Sequence, residues 1–275
     1  MTYKKTIIAG ACLSAAMFVG ALSTDALAAD WKSYATPNGH PLGKVISGYE
    51  FRSPETQALQ QDDFENPGFL WVDKGEELWD TVDGTEEKAC SSCHGDAAES
   101  MATAGTHFPK WNDALGKPVN LEQQINICRT KNMGAEAWKW ESDPLLSMTV
   151  FVRHQSRGEP VNVAQNGNMS EWSDRGKKLY YERVGQLDMA CASCHETNYG
   201  NRIRSDLLSQ GQSNGFPTYR LKWQKVGSLH RRFKGCMSQV RATPYKVGGD
   251  EFLALETYLA YRGVGLPVET PAVRQ

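Results

Sequence analysis

Behind Lys4 and Lys5 the chain carries an apolar run from Ile7 to Leu22, followed by Ala26-Leu27-Ala28. A basic start, a short apolar stretch broken by small residues and a small-x-small site describe an export signal over residues 1–28. The run is marginally short for a membrane span, no stop-transfer charges come after it, and no later stretch approaches that length. Residues 29–60 show no clear period and predict an irregular segment packed across the rest of the chain. Beyond it, apolar positions fall at helical spacing. Gly75-Glu76-Glu77-Leu78-Trp79, after Asp73-Lys74, sets Leu and Trp on the core face of an amphipathic helix. Gly176-Lys177-Lys178-Leu179-Tyr180, after Asp174-Arg175, repeats the pattern about a hundred positions later. Leu145 to Val152 and Phe252 to Tyr261 predict a closing helix for each copy.

The repeat continues between these helices. Asp143-Pro144-Leu145-Leu146 answers Asp250-Glu251-Phe252-Leu253, and Gly158-Glu159-Pro160-Val161 answers Gly265-Leu266-Pro267-Val268. The chain therefore reads as two copies of one helical module, at 61–162 and 163–275, with the boundary in the polar, Gly167-containing stretch between them. Composition narrows the classes. With 275 residues, 40% of them apolar, the chain can bury a core and is no disordered tail. Thirty Lys and Arg against 32 Asp and Glu give a net charge of −2, without the basic excess a nucleic-acid partner requires. Twenty-five Gly and 12 Pro make it loop-rich, a core that a large cofactor can complete.

Of seven cysteines, Cys12 falls in the leader and six remain. Four of them form Cys90-Ser91-Ser92-Cys93-His94 and Cys191-Ala192-Ser193-Cys194-His195, the c-type haem attachment pattern twice over. Two thiols three positions apart on a helical turn reach the two vinyl-derived positions of one porphyrin, and the adjacent His turns onto the iron. A thioredoxin-like pair or a structural zinc site would use similar residues, but zinc wants one compact four-ligand set. Here each motif has its own His, about a hundred residues apart, in an exported chain. The expectation is a mainly α fold of two tandem cytochrome c-like domains carrying two covalently bound haem c groups.

Cys128 and Cys236 remain, each seven residues after a Leu, Leu121 and Leu229. Equivalent places in two repeats predict equivalent roles, a thiolate on the distal side of each iron. A Cys128–Cys236 disulfide, bis-His ligation, or ligation by Met133, Met148, Met189 or Met237 are the alternatives. His40, His107 and His154 read as ordinary surface or supporting groups, and Trp138 and Trp140 as a docking surface or as packing. Gln123, Gln124 and Asn126 before Cys128 are neutral, whereas Arg231, Arg232 and Lys234 before Cys236, with His230 and Arg241, form a cationic collar. Such a collar suits a small oxyanion and holds the sulfur as a reactive thiolate, although charge of this kind also clamps haem propionates or simply faces solvent. The second site is then catalytic and the first a relay or a relic.

From leader to closing helix, this pattern resembles the SoxA family, the dihaem subunits of the SoxAX cytochromes of bacterial thiosulfate oxidation. Its most specific part is Arg231-Arg232-Phe233-Lys234-Gly235-Cys236 with Gln239-Val240-Arg241-Ala242. The resemblance implies His94 and Cys128 on the first iron and His195 and Cys236 on the second. It further implies a persulfide on Cys236 and substrate binding by Arg232. The implied reaction is that of an L-cysteine S-thiosulfotransferase in the periplasm. Thiosulfate is conjugated oxidatively to a cysteine of the SoxY carrier in SoxYZ, with SoxX as partner subunit and two electrons passing to a cytochrome c acceptor. Two competing readings are a periplasmic dihaem electron carrier without sulfur chemistry and a dihaem peroxidase. A repeated Cys cap closes both irons and argues against the latter.

Overall fold

The computed structural model describes residues 31–37 and 39–275, which form one compact unit; the expected leader, with Cys12, lies outside the described residues. Strands β1 (Ser33–Ala35) and β2 (Lys44–Ile46) pair antiparallel, with Tyr34 opposite Val45. Helix α1 (Pro54–Gln61) starts where Ser53 accepts the Thr56 N–H and Pro54 fixes the first turn. The first module then runs through α2 (Phe69–Trp79), α3 (Ser91–His94) and α4 (Ala97–Ser100). After the hairpin β3 (Lys110–Asn112) and β4 (Lys117–Val119) come α5 (Leu121–Cys128) and α6 (Asp143–His154). In the second module, α7 (Asn168–Tyr181) and α8 (Cys191–His195) lead through β5 (Arg202–Ile203) and β6 (Asp206–Leu207) to the hairpin β7 (Thr218–Arg220) and β8 (Lys225–Gly227). Helices α9 (Leu229–Gln239) and α10 (Asp250–Arg262) come next, and β9 (Ala272–Arg274) adds to β7 in parallel.

Each module is closed by a crossing of its first and last long helices, α2 on α6 and α7 on α10. The repeated glycines make the crossings close: a Cβ on Gly75 would collide with Phe151 Cβ and the Ser147 carbonyl, and one on Gly176 with the Ala254 carbonyl. Trp79 and Tyr180, the aromatics of the repeat, are buried at these crossings. Leu145, Leu146, Met148 and Val150 of α6 fill one core, and Tyr180, Phe233, Phe252 and Tyr258 the other. Burying such a side chain stabilises the fold by roughly 1.5–3 kcal/mol.

The matched tails of the repeats meet. Val161 N–H donates to the Leu266 carbonyl at 2.8 Å and Gly265 N–H to the Val161 carbonyl at 3.0 Å. Pro160 lies opposite Pro267 in an antiparallel bridge, so segments equivalent in sequence pair with one another, as copies related by a local two-fold axis do.

Candidate haem and sulfur site

Both attachment motifs sit in the same local frame. After α2 and α7 the chain turns back on itself in short bridges, Asp83 with Lys88 and Val184 with Met189. Ala89 N–H donates to Ser92 Oγ at 2.9 Å and Ala190 N–H to Ser193 Oγ at 3.1 Å, so the Ser that precedes the second Cys of each motif fixes the start of its one-turn helix. The turn then presents its two cysteines and its His together.

The ligand helices start as deliberately. Asn120 accepts the Gln123 N–H at 3.0 Å while Gln123 Oε1 accepts the Asn120 N–H at 3.2 Å, a reciprocal cap on α5. Ser228 accepts the Arg231 N–H at 3.1 Å and caps α9. Two turns on, these helices deliver Cys128 and Cys236. The loops after α2 and α7 tie down the segments beyond the two cysteines: Glu86 N–H reaches the Met133 carbonyl at 3.1 Å and Leu187 N–H the Val240 carbonyl at 3.3 Å.

Several of the expected residues stand near one another in the structure. Cys236 is within electrostatic reach of His195, Cys191 and Cys194, and Cys128 of Cys90. All six cysteines among the described residues are free thiols, so Cys128 and Cys236 are not bridged. Nor do three or more His, Cys, Asp or Glu side chains gather among the described residues as a zinc site needs. Two unbridged thiols and a His on one helical turn, with a further Cys at the end or on the last turns of a second helix, are a donor set whose chemistry suits covalent haem. His195 Nδ1 donates to the Ser209 carbonyl at 2.8 Å, which leaves Nε2 for a metal. Gly211, at φ +73°, permits that placement, because a Cβ there would come within 2.8 Å of His195 Cγ.

Electrostatics separate the two sites. Burial pushes the Cys236 thiol up, but the Arg232 guanidinium, the His195 contact and Arg220 outweigh it and bring the thiol down to about 7. Burial raises Cys191 to about 12, and the Cys236 charge adds to that. Arg220, on β7, and Arg52, before α1, are both lowered to about 10, first by burial and then by neighbouring cations, with Arg232 among the neighbours of each. One residue links them: Arg220 Nε donates to the Gln275 main-chain oxygen at 2.7 Å and Arg52 Nη1 to Gln275 Oε1 at 3.1 Å.

The collar therefore differs from the sequence expectation. His230 is not part of it: the ring is 1% exposed, stacked on Trp140 at 5.1 Å, with Nε2 2.9 Å from Glu256 Oε2. Arg231 turns to Trp223, 4.4 Å from the ring centre, and to Glu141 at 3.8 Å. Lys234 is exposed, and Arg241 leans away to Gln186 Oε1 at 3.4 Å. Arg220 takes their place beside Arg232, with Arg52 neighbouring both arginines, and no local signal marked either Arg220 or Arg52, since tertiary structure brings them there. Trp138 packs on the Arg129 guanidinium at 3.7 Å and Trp140 on His230, which accounts for both as packing. His40, His107 and His154 engage main-chain oxygens of Leu42, Asn162 and Thr270.

The model of the SoxA/TsdA cytochrome c domain matches this chain over residues 74–161 and again over 175–268. The chain belongs to the SoxA/TsdA cytochrome c family. Both attachment motifs stand inside the matched stretches, and a cytochrome c domain of this family implies covalently bound haem c. The L-cysteine S-thiosulfotransferase subunit SoxA of Pseudaminobacter salicylatoxidans is 49% identical over 242 residues, 88% of this chain and 85% of that protein. The protein of the same name from Paracoccus pantotrophus is 45% identical, covering 84% and 79%. The crystal structure of SoxXA from P. pantotrophus matches with a TM-score of 0.82 at 44% identity, over 85% of this chain and 88% of that one. The two-domain, mainly helical architecture is thus that of the SoxA members of the family.

Proposed function

We propose that this chain is a SoxA-type subunit of an L-cysteine S-thiosulfotransferase, joining thiosulfate to a cysteine of a SoxYZ carrier. The observation that carries the reading is the asymmetry of the two repeats, within a chain 49% identical to a named subunit over most of its length. Cys236 is gathered with Arg232 and His195, while the position matching Arg232 before Cys128 is the neutral Gln124. His94 with Cys128, and His195 with Cys236, would hold two haem c groups, covalently attached through Cys90 and Cys93 and through Cys191 and Cys194. When bound, haem supplies a one-electron acceptor.

The chain's own residues do the rest. Arg232, assisted by Arg220, offers planar N–H donors to the sulfonate oxygens and draws the dianion to Cys236. The Cys236 sulfur, as a thiolate or as the terminal sulfur of a persulfide, holds the soft sulfane end of the substrate for transfer. In the net reaction one S–S bond forms between the sulfane sulfur and the carrier cysteine. The thiol proton is released, and two electrons leave to a cytochrome c acceptor.

The same reading makes SoxX the partner subunit, residues 1–28 the export signal and the periplasm the site of action. It divides the mature chain into 29–60, 61–162 and 163–275. No helix among the described residues is long and apolar enough to cross a membrane. The test is thiosulfate-dependent mass gain on the carrier, with Cys236→Ala and Arg232→Ala variants checked for haem content. Both are expected to lose conjugation. Full conjugation in both would overturn the roles given to Cys236 and Arg232, and no mass gain with the wild type would leave only the electron-carrier reading.

A further inference from the structure

Cys128 and Cys236 occupy matched places in α5 and α9, and each is preceded by one turn of helix whose residue i−4 lies over the sulfur. In α9 that residue is Arg232; in α5 it is Gln124. The amide of Gln124 is half-buried, and its Nε2 donates to Cys128 Sγ at 3.4 Å, within the reach of a hydrogen bond to sulfur. We propose that Gln124 is a positioning residue of the first site, whose hydrogen bond to Cys128 raises the reduction potential of the first haem.

The inference rests on Cys128 ligating that haem, and its physical basis is simple. A thiolate donates electron density to ferric iron and lowers the potential. An N–H aimed at the sulfur withdraws part of that density without adding charge, so the reduced state gains relative to the oxidised one. The same bond takes up the sulfur's free lone pair, and a neutral amide offers no charge to a dianion. The site so built suits electron holding and not sulfur transfer. Arg129, adjacent to Cys128, does not restore the missing cation: its guanidinium is committed to Asp83 at 2.6 Å, the Glu136 carbonyl at 3.0 Å and the Trp138 ring.

The experiment is a redox titration of the haem-loaded complex with its partner subunit, monitored by optical and electron paramagnetic resonance spectra. Three forms are compared: wild type, Gln124→Met, which keeps the length and removes the donor, and Gln124→Arg, which restores one. Thiosulfate identifies the second haem by perturbing its signal. The potential of the first haem should fall in Gln124→Met and recover or exceed wild type in Gln124→Arg, with the second haem unmoved in both. An unchanged first-haem potential in both variants overturns the inference while the ligand reading stands. A wild-type first haem without a thiolate signature overturns both. Should the variants lose haem, wild type in H2O and D2O decides: an exchangeable proton coupled to the first thiolate-ligated iron supports the bond, and none refutes it.

Discussion

Among the arginines near Cys236, contact rather than proximity in sequence sorts the functional from the structural. Arg231 is one residue from Arg232 but spends its guanidinium on Trp223 and Glu141. Arg220 is sixteen positions from Cys236 and yet acts on its charge. Replacing Arg220 with Ala is therefore expected to weaken thiosulfate conjugation by one charge-assisted hydrogen bond, about 1.5–3 kcal/mol, or roughly tenfold to a hundredfold in kcat/KM. Arg231→Ala should stay within about threefold of wild type, a difference of roughly 0.6 kcal/mol. Steady-state assays of the two variants side by side check this, and a larger loss in Arg231→Ala would reverse the assignment. The two attachment motifs and the place of Arg232 one turn before Cys236 were legible in the sequence because spacing on a single helix dictates their geometry. Arg220, Arg52 and the burial of His230 were not, because a hairpin, an N-terminal segment and a neighbouring domain decide them.

Within the modules, the repeated glycine of Asp-x-Gly is explained by its helix crossing rather than by its helix. Glycine inside a helix costs about 1 kcal/mol relative to alanine, so its presence twice at one place needs a compensating contact. The crossings supply it, since backbone and Cβ atoms of α6 and α10 sit where a side chain would be. Gly75→Ala or Gly176→Ala should destabilise the protein by about 1–3 kcal/mol through overpacking, lowering Tm by several degrees. Gly235, on α9 with nothing within 4 Å of an added Cβ, gives the contrast. Gly235→Ala should leave Tm unchanged or raise it. Calorimetry on the three variants, haem-loaded, tests the pair of claims at once. The sequence showed that these helices exist and which residues face inward; it did not show that the two glycines face a partner backbone, because periodicity reports a face and not a distance.

Between the modules lies a buried polar cluster that neither repeat explains alone. Glu122 of α5 and Glu256 of α10 line a cavity of about 20 Å³ together with Arg153 and Thr149 of α6, room for about one water. Asn120 Nδ2 donates to Glu256 Oε2 at 2.9 Å, and His230 faces the same oxygen, joining the cap of one ligand helix to the other module. Burial, with Glu256 and Glu141 adding and Arg153 opposing, pushes Glu122 up to about 8. In the unfolded chain the carboxyl titrates near its ordinary value of 4.5. From there to about pH 8 the folded protein binds more protons than the unfolded one, so this group's contribution to stability is fullest below pH 4.5 and falls as pH rises through the window. Glu122→Gln keeps the shape and removes the ionisation. The variant should gain on wild type progressively between about pH 5 and pH 8 in denaturant unfolding, and the gain should level off above that. A difference independent of pH would mean that Glu122 is already ionised in the fold, and that Arg153 rather than a retained proton balances the charge between the two modules.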